Sequence, residues 1–257
     1  MKRIMAVARY IFKQSFRNKV LNVLVVFAIF AIGFSLLISE LAQEAEIKMV
    51  TDFGLLTVEL FAFITLALAL TVQMFEETEL KVISLIMVKP INKSEYLIGK
   101  FLGLFMTVAM NVLLMLGTLM IILKLRGGNP FEIRMLLSVY YTLTAMSIMT
   151  AVAILISVIV TSIPAALIFL FFIFVLGHLT VHLKHLADIT HNAGVTAFVN
   201  VFYYVLPNLE LFNMKDKIYS QDGLFTGAYF GLTAGYALIY ILTALGLANF
   251  IFKKHEF

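Results

Sequence analysis

Six stretches of about twenty residues or more run almost without charge, and they limit what this chain can fold into more than any motif does. They cover residues 20–39, 53–75 (with Glu59 inside), 101–123, 135–163, 165–183 and 223–252. A helix rises about 1.5 Å per residue, so crossing a hydrocarbon core of about 30 Å takes about 20 residues. The expected fold is all-α: a polytopic membrane protein with about six transmembrane helices, in a single domain over residues 1–257. Composition agrees. Of 257 residues, 62% are hydrophobic and 13% charged, against about 45–50% and about 25% in soluble domains. Mean hydropathy is +1.01. The absence of cysteine excludes disulfides, thiolate metal ligands and cysteine nucleophiles. No cofactor is called for, and a soluble enzyme is not expected.

The first apolar run is longer than a signal-peptide core of about 7–15 residues, so it reads as a retained anchor. Between the fourth and fifth runs the sole break is Thr161-Ser162-Ile163-Pro164, which predicts a tight hairpin because proline disfavours helix at and before its position. With the N-terminus inside, twelve Lys and Arg fall on the inner side and seven on the outer. That bias, with an even number of crossings, predicts both termini in the cytoplasm; the expected location is a plasma membrane (a bacterial inner membrane). The basic residues bunch beside apolar runs, which suits lipid headgroups and not nucleic acid. Residues 184–222 form an outer segment. Within it the apolar stretch 195–206 is too short to span and reads as re-entrant or interfacial.

Residues 1–19 form an amphipathic helix on a helical wheel. Lys2, Arg3, Arg9, Lys13 and Arg17 take one side and Ile4, Val7, Ala8, Ile11, Phe12 and Phe16 the other, which predicts a helix along the inner membrane surface that either anchors the chain or helps to hold a cytoplasmic partner. Residues 76–100 are expected as a cytoplasmic loop. In it Glu77, Lys81 and Ser84 share a polar stripe and Leu80, Ile83, Ile86 and Met87 an apolar side, predicting a short helix stopped at Lys89-Pro90. Asn92, with Glu95 three residues on, is expected to cap the next helix.

These features resemble, in their order, the permease subunits of type-2 ABC exporters. The motifs are the basic amphipathic helix, Lys48-x-x-x-Asp52-x-Gly54-Leu55, the acidic cluster, Lys89-Pro90-Ile91 and Gly99-Lys100-Phe101-Leu102-Gly103. Within that family the likeness is to the branch that includes the permease of copper-enzyme (nitrous oxide reductase) maturation. The resemblance covers most of the chain in topology and is dense in motifs over residues 1–104. It implies that the loop after the second span is a coupling helix seated in a cleft of a separate ABC ATPase, with two permeases, identical or sister, paired to two ATPases. It assigns ATPase coupling to Glu76, Glu77, Glu79, Lys81 and Lys89, with Ile83 and Ile86 on the apolar side that would insert. The chain has no Gly-x-x-x-x-Gly-Lys-Ser/Thr loop, so ATP and Mg²⁺ are expected on the partner.

Glu59 inside an apolar run is a candidate for the translocation path. It reads equally as a protonated acid or as a residue starting its helix at the outer interface. His178, His182 and His185 recur at i, i+4, i+7, with His191 and Asp188 beyond. Such spacing can hold zinc or copper, but no cysteine or acid cluster completes a ligand set, and a helix end among headgroups also suits histidine. No metal is expected. A membrane scaffold for a partner complex and an ion-coupled carrier using Glu59 are the competing functional readings.

Overall fold

Long uncharged runs in lipid leave backbone groups only one another to bond with, and helix satisfies them within one segment. A computed structural model of the chain describes residues 2–39, 46–78, 92–128, 133–190, 193–213 and 227–254. The helices are α1 (Lys2–Arg17), α2 (Lys19–Ser39), α3 (Glu46–Thr78), α4 (Lys93–Leu125), α5 (Ile133–Ile159), α6 (Ile163–Thr190), α7 (Ala193–Val205) and α8 (Gly227–Lys254). A 3-10 turn, Leu209–Phe212, lies between the last two. No strand occurs among the described residues. Helices α3, α4, α5, α6 and α8 are long and apolar enough to cross a bilayer, and α1 with α2, meeting at a 65° bend, makes up to six. The chain is an all-α, multi-pass membrane protein.

Helices α3 and α4 have 33 residues each, hence about 50 Å, some 20 Å more than the hydrocarbon core requires. Helix α3 continues past Phe75 through Thr78, and α4 begins at Lys93, well before Phe101. The expected 76–100 loop is therefore narrower: Glu76–Thr78 belong to α3 and Lys93–Lys100 to α4. Charge ends a lipid-buried span, but glutamate and lysine are good helix formers. As expected, α4 opens at Asn92, whose N–H donates to the Glu95 carboxylate at 3.1 Å. The hairpin between α5 and α6 also forms. Pro164 sits in the first turn of α6, where its missing N–H has no helical partner to lose.

Contacts place both termini at one end of the bundle. Arg3 lies 3.9 Å from Glu95, Lys93 donates to the Phe252 carbonyl at 3.4 Å and Ser94 to Asn249 at 2.8 Å. At the other end Arg126 meets Glu46 at 3.6 Å. Up-and-down crossings in even number account for this arrangement.

Helix α1 buries Val7, Ala8 and Ile11 and runs parallel to α4. A Cβ on Gly99 would lie 2.7 Å from Val7 Cβ, and one on Gly103 2.7 Å from Ile11 Cβ, so only glycine allows this approach. The Gly99-x-x-x-Gly103 motif is thus the groove that seats α1. The wheel's basic side is exposed, as are Met5 and Phe16. Much of the apolar side, however, is covered by α4 and not left to lipid. Helix α5 is the most enclosed of the five spans, with Tyr141, Met146, Ile148 and Met149 sealed inside. Helices α6 and α8 present Phe169, Phe171, Leu238 and Leu242 outward, as helices at a lipid boundary do.

Helix α7, with 13 residues, is too short to cross. It turns the chain back so that the Pro207 carbonyl would lie 2.8 Å from a Cβ on Gly177. That is roughly 9 Å inside the end of the apolar run at Leu183. Non-helical backbone at this depth needs partners. Three tyrosines of α8 supply them. Tyr229 donates to the Leu211 carbonyl at 2.7 Å, Tyr236 accepts from the Asn208 N–H at 2.9 Å and Tyr240 donates to the Val205 carbonyl at 3.0 Å.

Candidate functional site

Two polar clusters interrupt the apolar interior, one toward each end of α3. Toward the end that holds the termini, Lys100 Nζ lies 2.7 Å from Glu77 Oε1 and 2.9 Å from Oε2. The side chains are 3% and 12% exposed. Tyr96 donates to the same carboxylate at 2.7 Å, and Lys100 donates to Ser157 Oγ of α5 at 3.2 Å. The Tyr96 ring stacks on Phe252 of α8 with centroids 6.3 Å apart. One carboxylate thus ties α3 to α4, and through Lys100 and Tyr96 to α5 and α8. Lys100 sits between Gly99 and Gly103, so the helix that receives α1 also carries the buried cation.

Beside this clamp, Tyr10 of α1 donates to Glu76 at 3.2 Å. Burial first, then the neighbouring Glu76 charge and hydrogen bond, hold the Tyr10 phenol above its ordinary pKa, so it keeps its proton. Gln73 donates to Gln14 at 2.9 Å. The last turns of α3 are pinned on both sides.

Of the residues assigned to ATPase coupling, Glu77 turns inward to Lys100 and Tyr96. Glu76 is partly exposed and bonded to Tyr10. Glu79, Lys81, Ile83, Ile86 and Lys89 lie outside the described residues, as does the helix expected there. The clamp therefore sits directly at the base of residues 79–91. In the sequence Lys100 stands only within the short motif Gly99-Lys100-Phe101-Leu102-Gly103. A lone lysine opening an apolar run, four residues from Tyr96 on the same helix face, was the available signal.

At the other cluster, His178 Nε2 of α6 lies 2.6 Å from Glu59 Oε1 of α3. His178 Nδ1 faces the Phe174 carbonyl at 2.9 Å. A carbonyl only accepts, so Nδ1 carries a proton, and one further proton is shared between Nε2 and the carboxylate. The Phe174 ring meets the imidazole edge-on at 4.6 Å and stacks on Phe63 at 4.1 Å. The expectation that Glu59 merely starts its helix is corrected, since α3 begins at Glu46. His182 and His185 are exposed, while His178 is partly buried against Glu59. Among the described residues no group of three His, Cys, Asp or Glu is placed to hold a metal ion.

These arrangements contain no activated nucleophile. What they provide is linkage between helices at one end and a shared proton at the other. A scan against protein-family models and a search of curated proteins find nothing that matches the chain.

Proposed function

We propose that this chain is the membrane-spanning permease subunit of a type-2 ABC exporter. It would sit in a bacterial inner membrane with both termini cytoplasmic, pair with a second copy or a sister permease, and take its energy from a separate ATPase that holds ATP and Mg²⁺. Its own contribution is mechanical. The observation that carries the reading is the Glu77–Lys100–Tyr96 clamp at the base of residues 79–91. A force applied to that segment enters α3 and α4 together and passes to α5 through Ser157 and to α8 through Phe252, as a coupling element requires. The docked basic helix α1, the motif order and the Lys and Arg bias support the same reading.

The test is the double substitution Ile83→Asp with Ile86→Asp. Burying two unpaired charges in a partner's cleft costs several kcal/mol of association, whereas a rim charge is worth about 0–1 kcal/mol. The variant is expected to insert and fold normally, lose the ATPase in a pull-down and lose transport-linked ATP turnover. An intact complex with normal turnover would reduce the loop to a connector and defeat the proposal.

One observation favours a second reading, an ion-coupled carrier: the shared proton of Glu59 and His178 within the membrane span. That reading requires gradient-driven transport by the chain in vesicles without ATP, abolished in Glu59→Gln. ATP-dependent transport indifferent to the gradient rules it out.

A further inference from the structure

Between α1 and the last turns of α3 lies a cleft of about 370 Å³, whose polar lining comes from Tyr10, Lys13, Gln14, Arg17, Asn18 and Glu76. We infer that this cleft is a headgroup site for a phospholipid whose phosphodiester is the sole charge of its headgroup, the phosphatidylglycerol class. The inference goes beyond the exporter reading and does not depend on it.

Charge is the first argument. Two cations, Lys13 and Arg17, face one carboxylate, Glu76, which leaves a single positive charge in the lining. One phosphodiester neutralises it. A headgroup that also carries an ammonium would leave the excess in place. Among the described residues neither Lys13 nor Arg17 has a carboxylate within ion-pair distance, so both are available to phosphate oxygens. Arginine and lysine together supply a planar fork and a point charge, the usual pair for phosphate.

Hydrogen-bond capacity is the second. The amides of Gln14 and Asn18 and the Tyr10 hydroxyl suit the hydroxyls of a glycerol headgroup. Position is the third. Val72 lines the cleft beside these groups, and the last apolar turns of α3 end there. The site therefore lies where a span leaves hydrocarbon, at the level of headgroups, and a basic pocket between helices at that level recognises anionic lipid. The volume far exceeds what a bare phosphate ion fills.

The experiment uses the full chain purified in mild detergent and measures lipid retention by native mass spectrometry, with thermal shift in parallel. The probes are phosphatidylglycerol, phosphatidylethanolamine, phosphatidylcholine and inorganic phosphate. Wild type is expected to retain one phosphatidylglycerol on the order of tenfold over the two zwitterionic lipids. Lys13→Gln with Arg17→Gln should abolish that preference, while Lys2→Gln with Arg9→Gln, equal in charge removed from the same helix, should keep it. The exchange Lys13→Arg with Arg17→Lys should also keep it, separating loss of the site from loss of the fold. Equal losses in both Gln variants would mean diffuse attraction to the basic helix and overturn the site. Equal retention of phosphatidylethanolamine would overturn the charge argument, and stabilisation by inorganic phosphate alone would overturn the assignment to lipid.

Discussion

Replacing Lys100 by methionine removes the cation from the clamp and, among the described residues, leaves Glu77 with only the Tyr96 hydroxyl. At the observed 2.7 Å and an effective dielectric of about 20, the attraction lost is about 6 kcal/mol. Taking each ion out of water costs several kcal/mol, so the pair as a whole adds little net stability. The single variant nonetheless suffers badly, because a buried carboxylate without its partner costs about 3–5 kcal/mol. The double variant, Lys100→Met with Glu77→Gln, removes both charges and keeps an acceptor for Tyr96, so it should lie within about 1 kcal/mol of wild type. The assay is reversible unfolding of the purified chain in SDS and mild-detergent mixtures, followed by far-UV circular dichroism because the chain has no tryptophan. A Lys100→Met variant within about 1 kcal/mol of wild type would show that the pair is not buried as described. A double variant as damaged as the single would show that the loss comes from packing and not charge.

Gly99→Leu should drive its side chain into Val7 and cost about 1–3 kcal/mol by overpacking. The matching readout is maleimide labelling of Val7→Cys, slow alone and fast when Gly99→Leu is added. Tyr229→Phe, Tyr236→Phe and Tyr240→Phe should each cost about 1–3 kcal/mol by orphaning one backbone group of residues 205–211. Together they should accelerate hydrogen exchange there while α5 stays protected. Single cysteines at Thr78 and Gly128 should label from opposite sides of the membrane, Thr78 from the cytoplasm, and labelling from the same side would overturn the up-and-down topology.

The spans were legible because a bilayer imposes one simple condition, about twenty residues nearly free of charge, and five helices meet it, or up to six with α1 and α2 taken together. Helix ends were less so. Charge density at Glu76-Glu77 and at Lys93-Lys100 marks where lipid ends, while the helices continue through both places because nothing in those residues breaks them. Buried pairing was least legible. Glu59 and His178 each stood out as an oddity in an apolar run, but 119 residues separate them and no local rule joins them. Glu77 looked like a surface charge because its one-dimensional neighbours are charged. Its actual partners are Lys100 and Tyr96 of α4, which in turn meet α5 and α8. The three tyrosines could have been noticed, since spacings of seven and four put Tyr229, Tyr236 and Tyr240 on one helix face. What was missing was any sign that the backbone after Pro207 would lie opposite them.

The register between α1 and α4 has a consequence for how the protein is made. Arg3 meets Glu95, Val7 meets Gly99 and Ile11 meets Gly103, and 95 − 3, 99 − 7 and 103 − 11 all equal 92. At about 5–20 residues per second, a ribosome takes roughly 5–20 s to deliver the groove after it has delivered the helix that fills it. Two spans and the segment joining them must leave the translocation machinery during that interval, with Val7 and Ile11 still uncovered. A helix able to rest on a membrane surface has somewhere to wait. The amphipathic pattern of α1 would then serve the nascent chain first and the finished bundle afterwards, and its basic side would hold the N-terminus at the membrane surface until α4 arrives.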